Sequence, residues 1–169
     1  TPTLMLGYYE DEEATNEAIE IIDGERWFHS GDVGYIDKDG FIYITGRSKN
    51  VIVTQNGKNI YPEEIELLLS KIPEIKECMV YGKPDERDTN NKELIISVKI
   101  IPNYEYIEEE YKKKMDEKEI HDLLWNKVKE VNKQLTSYKA IKYMEIKKDE
   151  FIKTTTMKIK RYEELKNNK

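Results

Sequence analysis

Gly46-Arg47-Ser48-Lys49-Asn50-Val51-Ile52-Val53-Thr54-Gln55-Asn56-Gly57-Lys58-Asn59-Ile60-Tyr61-Pro62-Glu63-Glu64-Ile65-Glu66 is the stretch around which the rest of the chain is organised. It reads as a basic joint, a short apolar strand, an Asn-Gly turn, a second short strand and a proline that opens a helix. The Asn56-Gly57 pair supplies the positive φ that a tight hairpin turn needs. Pro62 sits where a first helical residue can do without its N–H. A hairpin followed by a helix is expected from local chemistry alone.

Downstream, Ile65, Leu68, Leu69 and Ile72 recur at helical spacing and form one apolar stripe. Glu63, Glu64 and Glu66 lie near the helix N-terminus, where they complement its dipole and are read as solvated rather than as an acid/base pair. Pro73 ends this helix. Residues 75–82 and 93–101 read as strands joined by the polar loop 85–91. The acidic, tyrosine-bearing stretch 103–115 is either a surface insertion or a helical extension. A second long helix is expected over 116–135, packing through Ile120, Leu123, Leu124, Val128, Val131 and Leu135, with Trp125 at the edge of that face. Residues 140–146 read as a last strand. The order β-α-β-β-α-β predicts an α+β fold: a small mixed sheet with packed helices.

Upstream, residues 33–36 and 41–45 alternate in polarity about Asp37-Lys38-Asp39-Gly40, a hairpin signal. Asp11 to Ile19, with an acidic start and alanines, suggests a short helix. His29, beside Trp27 and Phe28, is read as packing. Cys78 is the single cysteine, so no internal disulfide can form, and its apolar neighbours make it a buried strand residue without a catalytic role.

Acidic and basic residues are interspersed along 169 residues with a net charge of −6, which argues against nucleic-acid binding. No window approaches the roughly 20 apolar residues of a membrane span, and the N-terminus lacks the pattern of a signal peptide. A cytoplasmic protein is expected. The chain starts Thr1-Pro2 without an initiator methionine and reads as excised from a longer protein.

The order Gly46-Arg47-x-Lys49, apolar strand, Gly57, Pro62-x-Glu64-Ile65-Glu66 resembles the hinge motif of the adenylate-forming enzymes: the acyl-CoA synthetases, luciferases and peptide-synthetase adenylation domains. Its spelling most resembles the long-chain fatty acid–CoA ligases. Two more motifs follow the same order. Ser30-Gly31-Asp32, with the hairpin ending at Gly46-Arg47, resembles the family's ribose-binding motif. Phe151-Ile152-Lys153-Thr154-Thr155-Thr156-Met157-Lys158-Ile159-Lys160-Arg161 resembles its last signature, Pro-Lys-Thr-x-Thr-Gly-Lys-Ile-x-Arg, with Ile152 replacing the proline and Met157 the glycine. Met5-Leu6-Gly7-Tyr8-Tyr9 and the Glu13-Ala14-Thr15 helix resemble the end of the family's large N-terminal domain.

The resemblance implies a division at a hinge near Lys49: residues 1–47 close the N-terminal AMP-binding domain and residues 48–169 form the mobile C-terminal lid. The first part, a short helix and a β-hairpin, is then expected to be partly ordered at best on its own. Asp32 would accept hydrogen bonds from the ribose hydroxyls of the nucleotide, with Arg47 on ribose and phosphate and Ile44 beside them. Lys158 would be the catalytic lysine of adenylation. Asn56 and Gly57 would line the CoA channel. The implied reaction is ATP-dependent formation of acyl-AMP and then acyl-CoA, from a fatty acid. ATP, CoA and Mg2+ would serve the complete enzyme, with no metal ligands in this chain and its own N-terminal domain as partner. Membrane contact would arise only through the acyl substrate. The fragment alone would be inactive. An adenylation enzyme loading a carrier-protein pantetheine, or a non-catalytic binding module, are the alternative readings.

Overall fold

The computed structural model describes residues 3–85 and 93–166. Apart from Asp85, the polar loop read at 85–91 lies outside the described residues. The chain divides into two compact units, Thr1–Lys49 and Asn50–Lys169.

In the first unit, α1 (Glu12–Ala18) is capped by Asp11, whose Oδ1 accepts the N–H of Ala14 at 2.9 Å. The strands β1 (Ile19–Ile22) and β2 (Glu25–Phe28) pair antiparallel, a hairpin absent from the sequence expectations. Its signal is Asp23-Gly24: both residues have positive φ, 51° and 80°, as a two-residue type I′ turn requires. The ladder continues one step through His29 N–H to Ala18 C=O at 2.8 Å. It leaves the imidazole exposed, with Nε2 2.9 Å from Glu20 Oε2. His29 is therefore a surface partner of Glu20 and not a packing residue.

The expected hairpin forms between β3 (Asp32–Ile36) and β4 (Ile42–Arg47). Gly34 is obligatory there, because a Cβ would sit 2.3 Å from the carbonyl oxygen of Tyr43. Backbone pairing and turns shape this unit. Hydrophobic burial does not: Gly46 alone is buried among its described residues, and Trp27, Tyr35, Ile36, Phe41, Ile42 and Ile44 are 54–70% exposed.

The second unit opens with the short hairpin β5 (Ile52–Val53) and β6 (Asn59–Ile60), then α2 (Pro62–Leu69) with Pro62 in its first turn. Two long strands follow, β7 (Ile75–Pro84) and β8 (Leu94–Pro102), paired antiparallel. The acidic stretch resolves into α3 (Tyr104–Tyr111), a helical extension capped by Asn103 and anchored by buried Ile107. Then come α4 (Glu117–Asn132), which starts with a reciprocal Asp116/Glu119 capping box, β9 (Ile141–Ile146) and α5 (Arg161–Lys166). The three-stranded sheet has the order β7-β8-β9, with β9 parallel to β8. Parallel neighbours need a long crossover, and α3 and α4 supply it.

Alternation along the strands divides the core. Val80, Ile96, Val98 and Ile100 face Ile65 and Leu69 of α2 and Leu124 and Val128 of α4. Met79, Tyr81 and Ile101 point the other way and are covered by Phe151 and Ile159 of the C-terminal segment. The small mixed sheet with packed helices is thus the observed fold. Trp125 packs at the edge of the larger cluster.

Glu74 ties the crossover to the start of β7. It is 3% exposed, lies 2.6 Å from Lys127 Nζ and accepts the Tyr111 hydroxyl at 2.8 Å. Burial works against its charge, but the bonds from Lys127 and Tyr111 outweigh it and hold its pKa below the ordinary 4.5. Because the folded pKa lies below the unfolded one, this contribution is present above the unfolded value and is lost as pH falls through the folded one. Glu74→Gln should therefore flatten the acid limb of stability against pH, measured by urea unfolding between about pH 5 and 3.

Candidate nucleotide and lysine sites

Asp32 and Arg47 are cross-strand partners at the open end of the β3–β4 hairpin. The Arg47 Nε lies 2.8 Å from Asp32 Oδ1, and its Nη1 donates to Ser30 C=O at 3.3 Å. Gly31, at φ +74°, turns the chain into β3, and its carbonyl accepts the Ser48 N–H at 2.9 Å. A carboxylate and a guanidinium are thereby held side by side, one suited to accepting from a diol and the other to a phosphate oxygen. Ile44, on β4, is exposed. Lys49 is the middle residue of a 3₁₀ turn, Ser48–Asn50, and the first compact unit ends on it. Asn56, Gly57 and Lys158 belong to the second unit.

The β5–β6 turn takes its positive φ from Gly57 and not from the Asn56-Gly57 pair together. Gly57 N–H bonds Thr54 C=O at 2.9 Å, Thr54 N–H bonds Lys58 C=O at 3.0 Å, and Gly57 has φ +69° while Asn56 is not left-handed. This is a type I turn closed by a left-handed glycine bulge, in which Asn56 needs no positive φ. Beside it, a cavity of about 300 Å³ is lined by Asn56, Lys58, Tyr138 and Lys142, among others.

The Lys158 turn repeats that geometry. Met157 N–H bonds Thr154 C=O at 2.9 Å and Thr154 N–H bonds Lys158 C=O at 2.8 Å. The Thr154 hydroxyl accepts the Lys158 N–H at 3.2 Å, as the Thr54 hydroxyl accepts that of Lys58 at 3.1 Å. In the glycine's place stands Met157, at φ +62° and 71% exposed. A left-handed non-glycine residue costs roughly 1–2 kcal/mol. Met157→Gly relieves this but adds freedom to the unfolded chain, so it should stabilise the unit by about 0.5–1 kcal/mol, read as a higher urea midpoint.

The second departure is compensated. Where the signature has proline, Ile152 has an N–H, and it donates to Glu164 Oε1 at 2.6 Å. Glu164 is 2% exposed and pairs with Lys147 at 3.3 Å. A proline at 152 would remove that donor. Lys153, on the same arm, pairs with Glu77 at 2.6 Å, and Lys158 itself is exposed at the tip.

The glutamates of α2 are not the solvated face expected of them. Glu66 Oε2 lies 2.5 Å from Arg161 Nη2, and its Oε1 accepts the Val80 N–H at 2.6 Å. Arg161 Nη1 also donates to Val80 C=O at 2.9 Å. Glu63 accepts the Asn50 side-chain amide at 2.5 Å, and Glu64 pairs with Lys139 at 2.5 Å. Burial raises the Glu66 pKa against the pull of Arg161. Helical periodicity puts these residues near the helix start; only the packing of β7 and the C-terminal segment on α2 covers them. The Cys78 thiol is pushed up to about 12 by burial, with the charge of Glu66 adding to it.

An α+β unit of this topology, with an exposed lysine on a C-terminal hairpin and a hinge-like turn at its start, defines the lid class of adenylate-forming enzymes. Residues 49–167 match the family described as AMP-binding enzyme C-terminal domain, and the chain belongs to it. A 2-succinylbenzoate–CoA ligase of Bacillus cytotoxicus is 44% identical over 85 residues, covering 50% of this chain and 17% of that protein. A long-chain-fatty-acid–CoA ligase of Rattus norvegicus is 45% identical over 80 residues, 47% of this chain and 12% of that protein. The o-succinylbenzoate–CoA synthetase of Bacillus subtilis, solved with its acyl-adenylate intermediate, superposes with a TM-score of 0.70 at 25% identity, over 95% of this chain and 28% of that one. The chain therefore spans well under a third of the relatives it matches, and it is similar to the C-terminal part of acid–CoA ligases.

Proposed function

We propose that this chain is the lid, with the tail of the preceding domain, of an ATP-dependent acid–CoA ligase whose acid is a fatty acid. The observation that carries the proposal is Lys158: an exposed cation at the tip of a hairpin whose two arms are tied to carboxylates, by Ile152 N–H to buried Glu164 and by Arg161 to half-buried Glu66. When a carboxylate oxygen attacks the α-phosphorus of ATP and the bond to pyrophosphate breaks, negative charge builds on the phosphoryl oxygens. A preplaced cation that meets that charge in the transition state lowers the barrier. Asp32 and Arg47 would hold ribose and phosphate, and Ile44 would lie against the nucleotide.

In the second half-reaction the thiol of CoA attacks the acyl carbonyl and AMP departs. For that step the lid turns about Lys49 and offers the Asn56–Gly57 turn to the thiol channel; a few backbone dihedrals suffice for such a reorientation. Gly57 permits close approach of a ligand to the backbone. No cluster of three or more His, Cys, Asp or Glu side chains fit to hold a metal ion occurs among the described residues. Mg2+ would enter with the nucleotide and the N-terminal domain, and the reaction would run in the cytoplasm.

An aryl acid is the second reading, favoured by the likeness to 2-succinylbenzoate–CoA ligases. ATP–pyrophosphate exchange by the complete enzyme, across acetate, medium-chain and long-chain fatty acids and aryl acids, followed by CoA addition, separates the two. Exchange with a fatty acid and release of its CoA thioester is the expected result. Exchange with aryl acids alone would replace the fatty acid. Exchange without CoA turnover would move the acceptor to a carrier protein.

A further inference from the structure

The polar frame beneath the lysine hairpin is assigned no task by the reaction as described. Its members come from four places: Asn50, the first residue of the second unit, Glu63 and Glu66 on α2, the backbone of Val80 on β7, and Arg161 at the foot of the hairpin's return arm. The Arg161 fork spans Glu66 Oε2 at 2.5 Å and Val80 C=O at 2.9 Å, and its Nη2 lies 3.9 Å from Glu63 Oε1. The Glu66 carboxylate closes the ring on Val80 N–H at 2.6 Å. Arg161 is three residues beyond Lys158. Between them the chain is held by Lys160 N–H to Ile152 C=O at 2.8 Å and by Arg161 N–H to Ile159 C=O at 3.1 Å. A shift of Arg161 therefore shifts the tip.

Ion pairs taken out of water give little net stability, and apolar replacements of similar volume often serve as well or better. What a forked, doubly bonded arginine adds is direction. On the function proposed above, the direction that matters is that of Lys158. We propose that Arg161 is a positioning residue for Lys158, and that Asn50, Glu63, Glu66 and Arg161 make one frame in which the residue after the hinge, α2 and the lysine hairpin move as a single body.

A misplacement of about 1 Å can cost on the order of a hundredfold in rate. The test is made in the complete enzyme with Arg161→Lys, which keeps the charge and loses the fork, and with Asn50→Ala at the far end of the frame. For Arg161→Lys, kcat of ATP–pyrophosphate exchange should fall roughly tenfold to hundredfold. The KM for ATP, and thioester formation from supplied acyl-AMP, should stay within about twofold. Asn50→Ala should show the same split with a smaller loss. In a Lys158→Ala background, Arg161→Lys should cost nothing more in exchange, since the group it positions is gone.

A purely structural Arg161 would depress both half-reactions together, or would lower exchange further in the Lys158→Ala background; either result overturns the proposal. So does undiminished exchange in folded Arg161→Lys. If Lys158→Ala alone left exchange intact, the role given to Lys158 would fail first and this frame's purpose with it, an outcome distinct from failure of Arg161.

Discussion

Lys158→Ala in the complete enzyme is expected to slow ATP–pyrophosphate exchange by roughly a hundredfold to a thousandfold and to leave thioester formation from supplied acyl-AMP nearly unchanged. The asymmetry follows from where charge develops. In adenylation the attacking carboxylate and the triphosphate bring negative charge together, and the ammonium is worth most at the point of greatest charge. In thioester formation the acyl-AMP is already made, and on the function proposed above a lid turned about Lys49 would present the β5–β6 side instead. Lys158→Arg is informative beside it: the charge survives, but a planar fork replaces a compact ammonium on a flexible stem. Exchange should recover only in part. A Lys158→Ala enzyme that lost both half-reactions equally would mean that the lysine acts in folding or docking rather than in adenylation.

Leu124→Ala should destabilise the second unit by about 2–5 kcal/mol, the largest effect expected of any single core truncation here. Leu124 is fully buried on the inner face of α4, in the cluster formed with Ile65 and Leu69 of α2 and Val98 and Ile100 of β8. It stands on the crossover helix in one cluster with residues of the sheet and α2, so the lost side chain leaves a cavity that no one element can collapse to fill. Urea unfolding followed by far-UV circular dichroism would report it as a lower midpoint with an unchanged slope. A change under about 1 kcal/mol would show that the site relaxes freely and that α4 is not the keystone of this core.

The two departures in the last signature illustrate what the chain order conveys and what it hides. That Met157 stands in a glycine's place is visible in the sequence, and so is the strain it predicts, because φ preference is a property of the single residue; the structure puts Met157 in the left-handed region. That Ile152 stands in a proline's place is equally visible, but its consequence is not. The freed N–H finds Glu164, which is twelve residues away and on another element. The β1–β2 hairpin is legible too, in Asp23-Gly24, although the acidic, alanine-bearing run before it favours helix. The three-residue turns at Gly40, Gly57 and Met157 share one hydrogen-bond pattern that residue types alone do not distinguish from the two-residue form.

The sequence by itself determined the alternation that makes β7 and β8 two-faced, the apolar stripes of α2 and α4, the cap at Asp116 and the proline that opens α2, and the order of the motifs around Asp32, Lys49 and Lys158. Each of these is a periodicity or a conformational preference carried by near neighbours. Only the tertiary structure decided that Glu164 is buried and Glu66 half-buried, that Arg161 bridges α2 and β7, that β9 joins the sheet parallel to β8, and that residues 3–49 bury almost no apolar surface of their own. Those outcomes depend on which surfaces meet. Burial and pairing between residues up to 95 positions apart, as for Glu66 and Arg161, are set by the packing of whole elements and not by the local chain.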